Sequence, residues 1–217
     1  GTKLMFELFD RTTGRALELH EMDPASGAEV RFTQWDAGTG QVVKFVQYDA
    51  VSGNAVLYER FDTTTGNLLE LDTFDATLGT ITSATKWDAT SGKQTELNRW
   101  DAATGTKTLL EKFDATDGGI RESLTWDAAT GAQTSYDQWD STTGKQLQVN
   151  RYALNGQKTL MEKYDGATGR LLERYVWDEY TGTMLEAAIW DATTGHQTEL
   201  NQWSRANGQI TLAERFD

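Results

Sequence analysis

The 217-residue sequence contains no cysteine, so it can build neither a disulfide framework nor a thiolate metal site. It contains one proline, Pro24, and two histidines, His20 and His196. The histidines lie far apart in unrelated sequence contexts. They supply no acid–base or metal-ligand constellation and are expected on the surface or in packing roles. No apolar run approaches the roughly 20 residues of a membrane helix, and the chain does not open with a signal-peptide pattern. Basic residues are scarce, 20 against 33 acidic ones, for a net charge of -13. That charge disfavours a nucleic-acid backbone or an anionic membrane surface as partner.

What is present is repetition. An aromatic residue, an Asp, three small residues and a Gly recur, as in Trp190-Asp191-Ala192-Thr193-Thr194-Gly195. The register residues are Phe9, Met22, Trp35, Tyr48, Phe61, Phe74, Trp87, Trp100, Phe113, Trp126, Trp139, Tyr152, Tyr164, Trp177, Trp190, Trp203 and Phe216. Each step is 13 residues except Tyr152 to Tyr164, which is 12. The missing residue falls in the turn Ala153-Leu154-Asn155-Gly156, where loss is best tolerated. A fixed short period means a fold built by repetition rather than around one unique core.

Each repeat reads as a strand and a turn. In Gly92-Lys93-Gln94-Thr95-Glu96-Leu97-Asn98-Arg99-Trp100, aromatic and branched residues mix with polar ones at period two, and glycine recurs too often for helices. In Asp101-Ala102-Ala103-Thr104-Gly105, the Asp side chain can accept bonds from N–H groups two or three residues on, and the Gly can supply positive φ. Pro24, directly after Asp23, suits the first central position of a type I turn. Five turn residues leave about eight for a strand of roughly 27 Å. Connections this short make successive strands antiparallel neighbours. The expected fold is all-β: a continuous antiparallel meander of about 17 strands over residues 1–217, coiled into a barrel, a shell or a two-layer sheet. On any one strand, the third and fifth residues before the aromatic share a face, as in Val43 and Phe45. The aromatic itself lies on the other face.

Strands resemble one another best at 52 residues. Leu57-Tyr58-Glu59-Arg60-Phe61 matches Leu109-Leu110-Glu111-Lys112-Phe113, and Trp35, Trp87, Trp139 and Trp190 are tryptophan in all four copies. The chain thus reads as four 52-residue, four-strand units plus one strand. The alternative to the meander is a four-bladed propeller, which normally needs longer loops between blades than any turn here. The sequence starts at Gly1 partway into a repeat and stops at Asp217, with no polar capping unit. It is expected to be a piece of a longer array or an engineered chain.

Tyr164-Asp165-Gly166-Ala167-Thr168-Gly169-Arg170-Leu171-Leu172-Glu173-Arg174-Tyr175 resembles the YD-repeat (RHS-type) motif, a Tyr-Asp pair followed by Gly-Arg-Leu. Phe9-Asp10 with Gly14-Arg15 is a looser copy. The resemblance implies an exported, extracellular or cell-surface bacterial protein whose strands coil into a β-shell.

Uniform repetition without a site points to a non-enzymatic structural or scaffold module that needs no cofactor. Turn capping alone explains the aspartates, so no metal site is assigned. Regular tryptophans also suit stacking on sugar rings. A carbohydrate-binding module would use Trp35, Trp87, Trp139 and Trp190, with a glycan or protein ligand as partner. A third reading is a self-assembling β protein, joined through the unpaired edges that an open meander leaves at Phe9 and Phe216. Lys86, Arg99, Lys112 and Arg215, beside the register aromatics, would keep such a sheet soluble.

Overall fold

A computed structural model describes residues 4–217; the reading that rests on Gly1 lies outside the described residues. The chain divides into two compact units, Gly1–Thr106 and Lys107–Asp217. The first holds β1 (Met5–Phe9), β2 (Ala16–Met22), β3 (Glu29–Trp35), β4 (Val42–Tyr48), β5 (Ala55–Phe61), β6 (Leu68–Phe74), β7 (Ile81–Trp87) and β8 (Gln94–Trp100). The second holds β9 (Lys107–Phe113), β10 (Ile120–Trp126), β11 (Gln133–Trp139), β12 (Gln146–Tyr152), β13 (Lys158–Tyr164), β14 (Leu171–Trp177), β15 (Met184–Trp190), β16 (Gln197–Trp203) and β17 (Ile210–Arg215). The described residues contain no helix. The 17 strands form the antiparallel meander that the repeat predicts.

The turns follow from Asp and Gly chemistry. In the turn after Trp35, Asp36 Oδ1 accepts from the N–H groups of Gly38 (3.1 Å) and Thr39 (2.7 Å) and from the Thr39 hydroxyl (2.9 Å). Gly40, at φ 76°, donates its N–H to Asp36 O at 2.8 Å. The Asp36 N–H donates to Gln41 O at 2.8 Å and closes the loop. That last bond takes the residue after Gly out of the strand. Loops therefore hold six residues and strands seven, one fewer than expected. At the 12-residue step, the Gly156 N–H donates to Ala153 O, three residues back instead of four, and the strands on either side keep their length.

Within each unit a β-bulge sits beside every loop that joins two paired strands. Gln34 pairs with Lys44, but Trp35 pairs with Val42, so two residues of the outgoing strand oppose one of the incoming strand. Beyond the bulge, the second residue before each aromatic lies opposite the third of its neighbour, as with Phe32 and Val46, or Thr33 and Phe45. Opposite residues share a face. Neighbouring strands therefore turn their register aromatics to opposite faces, and in each unit the two faces carry the same mixture of residues. The sorting of the third and fifth residues away from the aromatic holds for a single strand, and the bulge alternates it from one strand to the next.

Pairing is continuous from β1 to β8 in the first unit and from β9 to β17 in the second. Four-strand propeller blades would interrupt each run, so the propeller alternative is excluded. Within its own unit, β1 pairs only with β2 and β17 only with β16. No strand of a unit lies beside another except its sheet neighbours, and the strand residues of both faces are mostly half-exposed. Neither unit closes into a barrel, and neither folds a second layer over its faces. Burial is correspondingly thin. Among the described residues, only Val46, Ala84, Val149 and Ala188 are buried apolar residues, against eight buried polar ones that include Thr33, Asn98 and Asn150.

Cross-strand pairs therefore do the stabilising that a core would do elsewhere. Arg60–Glu70 (3.0 Å), Lys86–Glu96 (3.3 Å), Lys112–Glu122 (3.1 Å) and Lys163–Glu173 (2.9 Å) recur at equivalent register positions. Each such surface pair contributes about 0.2–1 kcal/mol. Lys86 and Lys112, expected as solubilising residues, are thus also cross-strand partners.

Candidate functional site

Register aromatics line up in rows. In the first unit, Trp35 and Trp87 lie on the face of Thr33 and Phe45, at the same end of their strands, with Phe61 between them. Strands two apart are about 9.6 Å from each other, so Trp35 and Trp87 are roughly 19 Å apart. In the second unit, Trp139 and Trp190 share the face of Asp137 and Ala188, with Tyr164 between them. All eight tryptophans are half-buried. The structure therefore places each pair along a row and does not bring its members into one pocket.

Trp139 is the member of this class with polar company. It lines a cleft of about 420 Å³ together with Lys112, Arg121, Glu122, Gln138 and Asp140. Lys112 is paired with Glu122 at 3.1 Å. Arg121 is paired with Asp114, whose carboxyl is held below the usual range chiefly by the Thr116 N–H. Gln138, Glu122 and Lys112 pair across the sheet on the face opposite Asp137. The indole, on the face of Asp137, therefore borders the cleft from the strand end, and the amide, carboxylate and guanidinium groups can hydrogen-bond hydroxyls of a ligand there.

Turns at the same end of alternate strands are tied together. Asn54 Nδ2 donates to Ala76 O (3.0 Å) and Thr77 O (3.2 Å), and Asn67 Nδ2 donates to Ala89 O (2.9 Å). Arg15 reaches Gly38 O, and Arg170 reaches Thr193 O, in the same way. Turn aspartates are held below the usual carboxylate range, Asp49 first by the Ser52 N–H and then by its hydroxyl. Their hydrogen bonds converge on Oδ1, and no group of three or more His, Asp or Glu among the described residues is placed to hold a metal ion.

Both histidines lie apart from any such cluster. His20 stacks on Phe6 (4.1 Å between ring centroids, 9° between planes), and its Nδ1 faces Glu29. His196 is an exposed turn residue. Burial raises the carboxyl of Asp72, and Glu70 raises it further. Asp72 Oδ1 is shut off from solvent without a hydrogen-bond partner. Burial pushes the Tyr164 hydroxyl up to about 12, helped by its bond to Glu162 at 2.7 Å.

Sequence reasoning from the invariant tryptophans missed the groups gathered around Trp139. They come from β9, β10, β11 and the following turn. The signal available was departure from the repeat: Arg121 and Gln138 stand where no consensus residue dictates them.

Fold and clefts together define an antiparallel β-repeat protein whose units are single sheets. Neither a protein-family model nor a curated protein matches the chain. Among solved structures, it is similar to S. aureus TarM bound to fondaparinux, alpha-GlcNAc-glycerol and UDP, at 10% identity and TM-score 0.25, over 57% of this chain and 20% of that one. It is also similar to TcdB2-TccC3-TEV, at 11% identity and TM-score 0.27, over 98% of this chain and 14% of that one. A third likeness is to the Photorhabdus luminescens Tc holotoxin pore with TccC3-D651A, at 13% identity and TM-score 0.24, over 91% and 15%. The chain spans a fifth or less of each of these proteins. Likenesses this weak assign neither a family nor an activity.

Proposed function

We propose that the chain is a non-enzymatic structural repeat module, a scaffold or spacer in an exported bacterial protein. The observation that carries this reading is the sameness of its parts. Strands β2 to β16 are all seven residues long, and within each unit neighbouring strands pair through the same register. Such an array is lengthened or shortened without loss of its logic. The YD-repeat likeness of residues 164–175 supports export to the cell surface. Deleting residues 36–87 removes four strands and rejoins Trp35 to Asp88 in register. The shortened protein is expected to stay soluble, keep its β circular dichroism and unfold cooperatively. An unfolded product would refute a modular scaffold.

The polar cleft at Trp139 favours carbohydrate binding as a second reading. A glycan array, followed by tryptophan-fluorescence titration of the best hit, tests it. Binding that survives Trp139→Ala, or no hit at all, would exclude this cleft. The exposed edge favours self-association as a third reading: Met5, Leu8 and Phe9 on β1 are each about half exposed, at 53%, 48% and 52%. Sedimentation over a concentration series should then show dimers or larger species that Leu8→Lys abolishes. A strict monomer at every concentration would remove this reading.

A further inference from the structure

We infer that the first unit carries a binding site for a guanidinium group on an apolar stem, in a cleft of about 430 Å³ over β3, β4 and β5. The cleft is lined by Phe45 and Phe61, by the Glu59 carboxylate, by the Thr33 hydroxyl and by the Gln41 amide, which lies against Gly66. The site is independent of the scaffold reading and of the Trp139 cleft, which lies in the other unit.

The chemistry of the lining selects the ligand. Two aromatic rings supply apolar walls with negative faces, which attract a cation. The polar groups are mainly acceptors. Glu59 makes no ion pair among the described residues. Gln41 Oε1 is shut off from solvent and accepts no hydrogen bond, a state that costs free energy until a donor arrives. A planar, charged group with several N–H donors satisfies the carboxylate, the amide oxygen and the rings together. A neutral apolar ligand leaves both acceptors unmatched, and an anion is repelled by Glu59 and by the chain's net charge of -13. The Phe45 ring already accepts one guanidinium: Arg31 of β3, held by Glu21 at 3.0 Å, lies 5.8 Å from its centroid.

The array's own repetition provides the comparison. In the three later 52-residue copies, Gln41 is replaced by Lys93, Lys145 and His196, and Phe45 by Leu97, Val149 and Leu200. Glu59 keeps its counterparts, Glu111, Glu162 and Glu214. In the third copy Lys145 donates to the turn carbonyl of Ala167. Only the first copy combines a neutral acceptor, a second ring and the acid. Turn and strand pairing need neither Gln41 nor Phe45, since the other copies fold in the same register without them.

The test is isothermal titration of the full chain with N-acetyl-arginine methylamide, with the citrulline analogue as the uncharged isostere. The arginine probe should bind saturably and the citrulline probe should not. Glu59→Gln should weaken arginine binding by about tenfold or more, the effect of losing one charge-assisted hydrogen bond. Gln41→Lys, which installs the residue of the second and third copies, should abolish binding while leaving the circular dichroism unchanged. Glu111→Gln, at the same register position in the other unit, should leave binding intact. Absence of saturable arginine binding, equal binding of citrulline, or full binding by either Glu59→Gln or Gln41→Lys would overturn the proposal.

Discussion

Two glycines in equivalent turns should differ in what a methyl group costs. Gly53 has φ 74° and Gly79 has φ 68°, both in the left-handed region. Alanine at either position meets the same backbone penalty, about 1–2 kcal/mol. A Cβ on Gly53 would meet nothing within 4 Å, whereas one on Gly79 would lie 3.0 Å from Asn54 Oδ1 and 3.1 Å from its Cγ. To make room, the Asn54 amide must shift by a few tenths of an ångström, which strains its bonds to the turn carbonyls of Ala76 and Thr77, each worth about 0.5–1.5 kcal/mol. Gly53→Ala should therefore destabilise by about 1–2 kcal/mol and Gly79→Ala by more, up to about 5 kcal/mol where both bonds are lost. The assay is urea unfolding followed by tryptophan fluorescence. For a chain this long, each kcal/mol also lowers Tm by about 2–4 °C. In an Asn54→Ala background the excess cost at Gly79 should vanish, which isolates the contact between turns. Equal costs at the two glycines, or an excess that persists without Asn54, would refute the claim that alternate turns are tied through this amide.

Other outcomes follow from the same geometry. Alanine at Gly119 would drive a Cβ into the backbone oxygen of Ser141, which cannot swing aside as a side chain can. Gly119→Ala should destabilise more than any open-turn glycine substitution in the same urea assay. The turn aspartates, lowered in the folded state, stabilise fully above the unfolded value of 3.8. That contribution is lost as pH falls from 3.8 through their lower folded values, so acid titration of stability should show a steep decline there. Asp72 has the opposite sign: its raised carboxyl favours folding below 3.8 and opposes it as pH rises through the higher folded value. Asp72→Asn should thus raise the urea midpoint at neutral pH and much less in acid; an unchanged or lower neutral midpoint would contradict this. Tyr164, at about 12 against an ordinary 10.0, adds stability that disappears between those values as pH rises. Tyr164→Phe should flatten that decline and remove the latest-titrating step in an absorbance titration of the tyrosines.

The turns were legible in the sequence except for their sixth residue, which the reading gave to the strand. Asp and Gly act within six residues, so local chemistry dictates their geometry, and the positions of Asp36 and Gly40 announce it. Meander order was legible too, because loops this short permit no other neighbour. The bulge was not. It arises from closing the Asp36 N–H onto Gln41 O, which shifts the outgoing strand by one residue. That shift pairs Phe32 with Val46 rather than with a residue of its own register class. A strand read alone cannot report it, and so the equivalence of the two faces was missed. The tryptophan register was legible as position but not as setting. What surrounds Trp139, or Phe45 and Glu59, comes from several strands, and only departures from the 52-residue period hint at it.

The central claim is that each unit is a single sheet with both faces open. Absence of cysteine makes the direct measurement simple. Glu70 and Leu71 are adjacent in β6 and lie on opposite faces, opposite Arg60 and Glu59 respectively. Glu70→Cys and Leu71→Cys are each treated with a water-soluble maleimide under native conditions, and labelling is followed by mass spectrometry. An open single sheet predicts that both thiols react at comparable rates without unfolding. A thiol on one face that reacts only after denaturant is added would contradict it, since a covered face is what a barrel or a second layer would produce.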